Sequence, residues 1–171
     1  MLNNTLNDII SAGDNMIKGR YTYFDSDETS VALEIRNKVF TELSLPDKDE
    51  LDSISVHGIV YYNETVPVAA GRITYLDGKF KLSRLAVLSE FRRKKIGDFL
   101  VRMLVDKVFC SGAKSVYSDV PIKITPFLDS IGFEKIDDIF EKDGIQYQPM
   151  CLRLENFRTG CGHAYCPSIN K

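Results

Sequence analysis

The chain has 171 residues, 22 Lys and Arg against 24 Asp and Glu, and a formal net charge of −2. A chain of this length buries roughly 70% of its unfolded surface as one domain, and its composition of 44% hydrophobic and 27% charged residues excludes wholesale disorder and fibrous repeats. The near balance of charge argues against whole-surface attraction to nucleic acid or an anionic membrane, so we expect neither partner. No apolar run reaches the roughly 18 to 20 residues that span a bilayer, and the first residues lack the features of a signal peptide. A cytoplasmic location is the default expectation.

The chain begins with a predicted helical extension over residues 1–19, which is amphipathic and ends at Gly19. A globular domain is predicted over residues 20–154, starting with a short strand at residues 21–24. Ser26 and the carboxylates beside it supply an N-cap and an acidic first turn for a helix that runs to about Leu43.

An antiparallel meander of three strands is predicted over residues 54–62, 66–76 and 79–88, because short turns separate them. In a regular third strand Phe80 and Leu82 would point to one face, whereas Leu85 and Val87 would point to the other, so the apolar alternation slips by one residue. A β-bulge at Ser83-Arg84 produces such a slip. A strand that is apolar on both faces is the alternative, and the pattern does not separate the two.

The second half of the domain alternates helices and strands. Apolar residues at spacings of three and four predict a helix from Ile96 to Ser111. The next strand, residues 115–120, is expected to run parallel to the previous one, because a crossover helix separates them. A short helix at residues 125–131 and a hairpin of residues 133–140 and 145–154 follow.

Four consecutive cations precede the helix at Ile96, namely Arg92, Arg93, Lys94 and Lys95. A helix N-terminus exposes backbone N–H groups and the positive end of the macrodipole, so it binds anions. Cations there destabilise the helix, and a bound polyanion would offset that cost. A solvated basic turn without a ligand is the alternative.

The segment from Leu85 to Gly97 resembles the acetyl-CoA signature of the GNAT superfamily of N-acetyltransferases, Gln/Arg-x-x-Gly-x-Gly/Ala. Arg92 and Gly97 match its first and last positions, whereas Lys95 stands where the family usually has glycine. Residues 127–133 are similar to the family's Phe-Tyr-x-x-x-Gly-Phe, and residues 35–40 to the Ile-Arg-x-x-Val-Phe helix of a small bacterial subgroup. The resemblance covers residues 21–154 in matching order.

This resemblance implies a mixed α+β fold, with a mostly antiparallel twisted sheet splayed at a bulged fourth strand and helices on both faces. The pantetheine arm of acetyl-CoA would pair with the strand, and its pyrophosphate would lie on backbone amides of the loop. The implied cofactor-binding residues are Leu85, Ala86, Val87, Arg92, Arg93, Lys94, Lys95, Ile96, Gly97, Asp98 and Phe127. The implied reaction is direct acetyl transfer to a primary amine of a small molecule or peptide. Such an amine must lose a proton before attack, and the leaving thiolate must be stabilised.

The catalytic groups depart from the family pattern. The family's usual general acid, the Tyr of Phe-Tyr, falls at Leu128, so that role is empty or has moved. Asp119 is a candidate to orient or deprotonate the ammonium, although it could simply cap a loop. Tyr117 is a candidate replacement for the acid, and Ser118 lies between the two. A non-catalytic acyl-CoA-binding or regulatory domain is therefore the alternative function.

Residues 155–171 are predicted to form a polar tail that contains Cys161, His163 and Cys166. Thiolate and imidazole are zinc ligands, but a structural site uses four ligands and this segment has three. Cys151 is a candidate fourth ligand, although its strand pattern places it in the core. A tail with incidental thiols, or redox pairing of Cys161 with Cys166, is preferred to a zinc site, and no metal ligand is assigned. The oligomeric state stays open, a homodimer included.

Overall fold

The computed structural model describes residues 16–23, 26–45 and 49–157. Within these ranges, one sheet of eight strands is covered by three α-helices. The strands are β1 (Ile17–Tyr23), β2 (Ser55–Tyr62), β3 (Val66–Leu76), β4 (Lys79–Val87), β5 (Ser115–Pro121), β6 (Glu134–Lys135), β7 (Phe140–Lys142) and β8 (Ile145–Arg153). The helices are α1 (Asp27–Glu42), α2 (Ile96–Cys110) and α3 (Thr125–Ile131).

The strand order is β1-β2-β3-β4-β5-β8-β6, and β7 also pairs with β8. Every pairing is antiparallel except that of β4 with β5, which is parallel and is bridged by α2. The mixed, mostly antiparallel fold is thus confirmed. None of the helices in the described ranges combines the length and apolar character needed to cross a bilayer.

The two long helices cover opposite faces of the sheet. Helix α1 starts at the N-cap Ser26, whose hydroxyl accepts a hydrogen bond from the Glu28 N–H at 3.1 Å. It buries Ala32 and Ile35 against Ile59 of β2 and its neighbours. Helix α2 buries Leu100, Leu104 and Val108 on the other face, together with α3. Truncating one of these leucines to alanine costs about 2 to 5 kcal/mol.

The predicted N-terminal helix is wrong at its end, because Ile17, Lys18 and Gly19 belong to strand β1 and pair with β2. Residues 1–15 of the extension lie outside the described residues. Gly19 supports close packing of the strand on α2, since a Cβ at this position would collide with the sulfur of Met103. The glycine that suggested a helix end therefore serves the contact between β1 and α2.

Strand β4 carries the predicted bulge. Its pairing with β3 passes from Arg72↔Ser83 to Ala70↔Ala86, so Gly71 faces two residues, Arg84 and Leu85. Arg84 has a positive φ of 55°. As a result Phe80, Leu82, Leu85 and Val87 all contact the core on the α2 side. The bulge is confirmed, and the alternative of a strand apolar on both faces is wrong.

Beyond the bulge, β4 and β5 separate. The only ladder pair between them in the described strands is Lys81↔Tyr117. Leu85, Ala86 and Val87 lie past this point, so the sheet opens there into a fork between β4 and β5. The 3-10 turn Glu50–Ile54 precedes β2, and Asp49 is its N-cap. The sequence did not predict this turn.

Candidate functional site

The fork exposes backbone groups of β4. The Leu88 N–H donates to the Val68 carbonyl at 3.0 Å, so by strand alternation the amide and carbonyl of Val87 point away from β3 and into the fork. Leu85 and Val87 are half-buried there, whereas Ala86 is buried against α1. The strand thus presents an open edge to an extended ligand.

The loop after β4 leads directly into the N-terminus of α2. Arg93 and Lys95 both have positive φ values, 64° and 60°. Lys95 is the N-cap of α2, and no side chain caps this end. The amides of Ile96, Gly97 and Asp98 have no intrahelical acceptor, because the first turn of a helix provides none. Asp98 does not cap either, since its carboxylate accepts a hydrogen bond from Arg102 at 2.8 Å.

The four cations do not form one patch. The Nε of Arg92 donates to the Val87 carbonyl at 3.0 Å, and its Nη2 lies 4.0 Å from Glu42 Oε2. The Lys94 ammonium packs on aromatic rings, 5.1 Å from the ring centroid of Phe91. Arg93 and Lys95 are exposed. The side chains of Arg92 and Lys94 therefore stabilise the loop, while the backbone amides of the first turn of α2 keep no side-chain cap.

Three predicted cofactor residues from different elements meet at the fork. A Cβ added to Gly97 of α2 would lie 3.6 Å from Val87 Cγ2 of β4 and 3.5 Å from Phe127 Cζ of α3. These are ordinary van der Waals distances, so packing alone does not require glycine. The missing side chain leaves room between Val87 and Phe127, next to the uncapped amides.

The candidate catalytic residues on β5 divide between two faces. Ser118 is 1% exposed, and its hydroxyl donates to the Leu82 carbonyl at 2.8 Å. Tyr117 and Asp119 share the opposite face, because alternate residues of a strand do. The Asp119 carboxylate lies 3.4 Å from the Lys81 ammonium, and the Lys79 ammonium lies 5.0 Å from the Tyr117 ring centroid. The structure brings Tyr117 and Asp119 together and places Ser118 with the core.

Leu128, at the position where the resemblance expects a tyrosine, is fully buried in the core. It packs with the residues of α2 and α3, and has no polar atom to give a proton. The role of general acid is therefore not held by this position.

A cluster of buried and half-buried charges lies next to the bulge and was missed by the sequence reasoning. We call it the bulge charge cluster; it consists of Arg36, Asp49, Asp52, Arg72 and Arg84. Signals for it were present, since Arg36 lies beside Ile35 on the buried side of α1 and Arg72 lies in the largely apolar strand β3.

Asp49 is the centre of the contacts with the bulge. Its carboxylate accepts hydrogen bonds from Arg72 Nη2 at 3.0 Å and from Arg84 Nη2 at 2.7 Å. Arg72 also donates from Nε to Ser83 Oγ at 3.1 Å. Asp52 takes a bidentate pair from Arg36 at 2.6 and 3.1 Å. Asp49 is thereby connected to Arg84 of the bulge directly, and to its neighbour Ser83 through Arg72, which also donates to Asp52 Oδ1 at 2.7 Å.

The bulge charge cluster changes the pKa of its two carboxyl groups and that of His57, whose ring bonds to the Asp52 carbonyl. Burial alone would raise the pKa of the Asp49 carboxyl, but hydrogen bonds from Arg72 and Arg84 outweigh burial and lower it. The pKa of Asp52 is lowered in the same way, since hydrogen bonds from Arg36 and Arg72 outweigh its burial. The pKa of His57 is lowered by burial, and also by the nearby Arg36 and Arg72, although the hydrogen bond to the Asp52 backbone opposes this. The carboxylates are charged and His57 is neutral at pH 7.

Comparison with known proteins identifies the family. The model of the acetyltransferase (GNAT) domain matches residues 25–154. The chain belongs to the GNAT acetyltransferase family. The match does not distinguish the subgroup with an Ile-Arg-x-x-Val-Phe helix, so that assignment stays a prediction.

Similar proteins agree with this membership. An uncharacterized N-acetyltransferase YjcF from Bacillus subtilis (strain 168) is 30% identical over 111 residues, which cover 63% of this chain and 79% of YjcF. A putative N-acetyltransferase from Lactobacillus plantarum shares the fold with a TM-score of 0.74 and 16% identity, over 82% of this chain and 99% of that one. A GNAT family acetyltransferase from Elizabethkingia anophelis, with acetyl-CoA bound, has a TM-score of 0.60 and 14% identity, over 83% of this chain and all of that one, 100%.

Cys161, His163 and Cys166, which were considered as zinc ligands but not assigned as such, lie outside the described residues. Within the described ranges, no group of three or more His, Cys, Asp or Glu side chains could hold a metal ion. Cys151 is buried in β8, where it pairs with Tyr117 of β5, as its strand pattern predicts.

Proposed function

We propose that this GNAT protein transfers acetyl from acetyl-CoA to a primary amine of a small molecule or peptide, by direct attack of the amine on the thioester. The observation that carries the proposal is the fork, where the open edge of β4 leads into the uncapped N-terminus of α2 and where Val87, Gly97 and Phe127 meet. The bound acetyl-CoA of the Elizabethkingia anophelis protein, which shares this fold, supports it.

The residues at the fork fit this co-substrate. The outward amide of Val87, and the outward amide and carbonyl of Leu85 two residues earlier, match the amide groups of a pantetheine arm, whereas the Val87 carbonyl already accepts a hydrogen bond from Arg92. The amides of Ile96, Gly97 and Asp98 would hold the pyrophosphate at the positive end of α2. Exposed Arg93 and Lys95 add long-range attraction for a polyanion. Acetyl-CoA supplies the activated acyl group when it is bound.

Two polar residues of β5 would assist the transfer, one at the attacking amine and one at the leaving thiolate. Asp119, a carboxylate paired only at 3.4 Å with Lys81 on the exposed side of the fork, would orient the ammonium and accept its proton. Tyr117, two residues away on the same face, would stabilise the leaving thiolate. Ser118 would fix the distance between β4 and β5 through its bond to Leu82.

Calorimetric titration with acetyl-CoA, followed by thiol-release assays with a panel of amines, tests the proposal. We expect binding in the wild-type protein and CoA release with at least one amine. Gly97→Ala should fold with equal or higher stability, because its Cβ meets only ordinary contacts, yet bind acetyl-CoA more weakly, because the methyl group enters the space beside the amides. Absence of binding at millimolar acetyl-CoA would overturn the proposal.

A non-catalytic acyl-CoA-binding domain is the second candidate. The observation that favours it is the buried Leu128 at the position of the usual acid. Tight binding of acetyl-CoA, without CoA release in the presence of any amine of the panel, would support this candidate over the enzyme.

A further inference from the structure

We propose that Asp49 is a positioning residue, which holds the β4 bulge in the geometry that presents Leu85 and Val87 to acetyl-CoA. The inference rests on the proposed function, because it concerns the same strand edge. Asp49 itself lies at the start of the turn before β2, outside the fork, and acts through Arg72 and Arg84.

The bulge contains a strained residue. Arg84 has a φ of 55°, and a left-handed conformation is unfavourable for a residue with a Cβ. Such conformations persist when the surrounding structure holds them in place. Asn and Gly tolerate this region far better than Arg, so the side chain of Arg84 must contribute to holding it.

The contacts of Asp49 provide that restraint. Its Oδ2 accepts from Arg84 Nη2, and the Arg84 guanidinium also lies 5.9 Å from the ring centroid of Phe40 on α1. Arg72, which is 3% exposed and bonded to Asp49, donates to Ser83. Asp49 therefore anchors Arg84 directly and, together with Asp52, which accepts from Arg72 at 2.7 Å, holds Ser83 through Arg72. Charge-assisted hydrogen bonds of this kind are strong when they are removed from water.

The bulge sets the register of β4, and therefore which residues of β4 face the fork. A bulge moves the residues after it by one position, and a shift of one residue exchanges the two faces of a strand. With the bulge, Leu85 and Val87 contact the α2 side and Ala86 contacts α1. If the bulge relaxed, these residues would change faces and the open edge at Val87 would be lost.

The first test compares Asp49→Asn with Asp52→Asn. The amide of Asp49→Asn lacks the charge and places an N–H donor against a guanidinium donor, so we expect the Kd for acetyl-CoA to rise at least about fivefold. Asp52→Asn removes buried charge and a second partner of Arg72 but leaves the contact of Asp49 with Arg84, so it should lower thermal stability and leave the Kd within about twofold. Equal Kd values for the wild type and Asp49→Asn would overturn the inference.

The second test replaces Arg84, whose side chain is 20% exposed and makes the anchoring contact with Asp49. Arg84→Ala loses the anchor and keeps the strain, whereas Arg84→Gly loses both. We expect weaker acetyl-CoA binding by Arg84→Ala than by Arg84→Gly, and a smaller effect of Asp49→Asn in the Arg84→Gly background. Equal binding by the two Arg84 variants would contradict the inference. Because wild-type binding is measured first, failure here is distinguishable from failure of the proposed function.

Discussion

The buried hydroxyl of Ser118 on β5 donates a hydrogen bond to the carbonyl of Leu82 on β4, across 2.8 Å. This bond lies one residue beyond the single ladder pair of the two strands, Lys81↔Tyr117. The backbone pairing of β4 with β5 thus ends where the fork begins, and the side chain of Ser118 supplies the next hydrogen bond between the two strands. The closed end of the fork is defined by this contact, and the width of the site depends on it.

Ser118→Ala should destabilise the protein by about 1 to 3 kcal/mol, because it leaves the buried Leu82 carbonyl without this donor. Urea unfolding measures the change. Ser53→Ala is a suitable control, since the exposed Ser53 hydroxyl also donates to a carbonyl, that of Glu50 at 3.0 Å, and its loss should cost far less. A loss of turnover in Ser118→Ala with unchanged stability would instead show that Ser118 takes part in catalysis.

Lys95→Gly should stabilise the protein by about 1 kcal/mol, because glycine adopts the positive φ of this position without strain. For a chain of this size the melting temperature should rise by about 2 to 4 °C. Lys95→Ala separates strain from charge, since it removes the cation at the N-terminus of α2 but keeps a Cβ. If alanine stabilises as much as glycine, charge rather than backbone strain is the larger effect at Lys95.

Asp119→Asn should reduce kcat/KM for an amine acceptor by at least about tenfold, because the amide cannot accept the proton of the ammonium. Its stability should stay within about 1 kcal/mol of the wild type, since the pair with Lys81 is exposed. Lys81→Met is the matched control. It breaks the same ion pair but keeps the carboxylate, so similar losses of activity in both variants would mean that the ion pair, and not the base, is what matters.

The stability of the folded protein should fall as the pH is lowered from neutrality. The pKa of His57 is lowered in the folded state, so its contribution is complete above the unfolded value of about 6.5 and declines below it. The pKa values of Asp49 and Asp52 are also lowered. Their contributions are complete above the unfolded value of about 3.9 and are lost as the pH falls further.

Urea unfolding at pH 7.5, 5 and 3.5 measures this dependence. Asp49→Asn should show a shallower loss of stability below about pH 4, because one of the two low-pKa carboxyls is gone. An unchanged slope in that variant would mean that Asp49 titrates alike in the folded and unfolded chains.

The sequence predicted those features that depend on neighbouring residues. The parity change between Leu82 and Leu85 located the bulge, and Ser26 marked the start of α1. Local pattern does not show which face of a strand meets the core, so Ser118 and Tyr117 could not be separated before the structure. The spacing of apolar residues near Ile17 also fits helix and strand alike, and only the pairing with β2, such as Gly19↔Val60, identifies the segment as a strand.

Long-range contacts account for what the sequence did not predict. Asp49, Arg72 and Arg84 are far apart along the chain, and the fold alone brings their charges together. The run of four cations looked like one phosphate-binding patch. In the structure its side chains diverge, because Arg92 bonds to Val87 and Lys94 packs on Phe91.

The bond from Arg92 to the Val87 carbonyl affects how readily the strand of another chain could pair with β4 at the fork. An open strand edge with free backbone groups is a template for pairing with another chain, and proteins commonly protect such edges with charged side chains. In the fork, the guanidinium of Arg92 covers the Val87 carbonyl and places a positive charge at the edge. We therefore expect the Arg92 side chain, which stabilises the loop, also to hinder pairing of β4 with a strand of another chain while acetyl-CoA is absent.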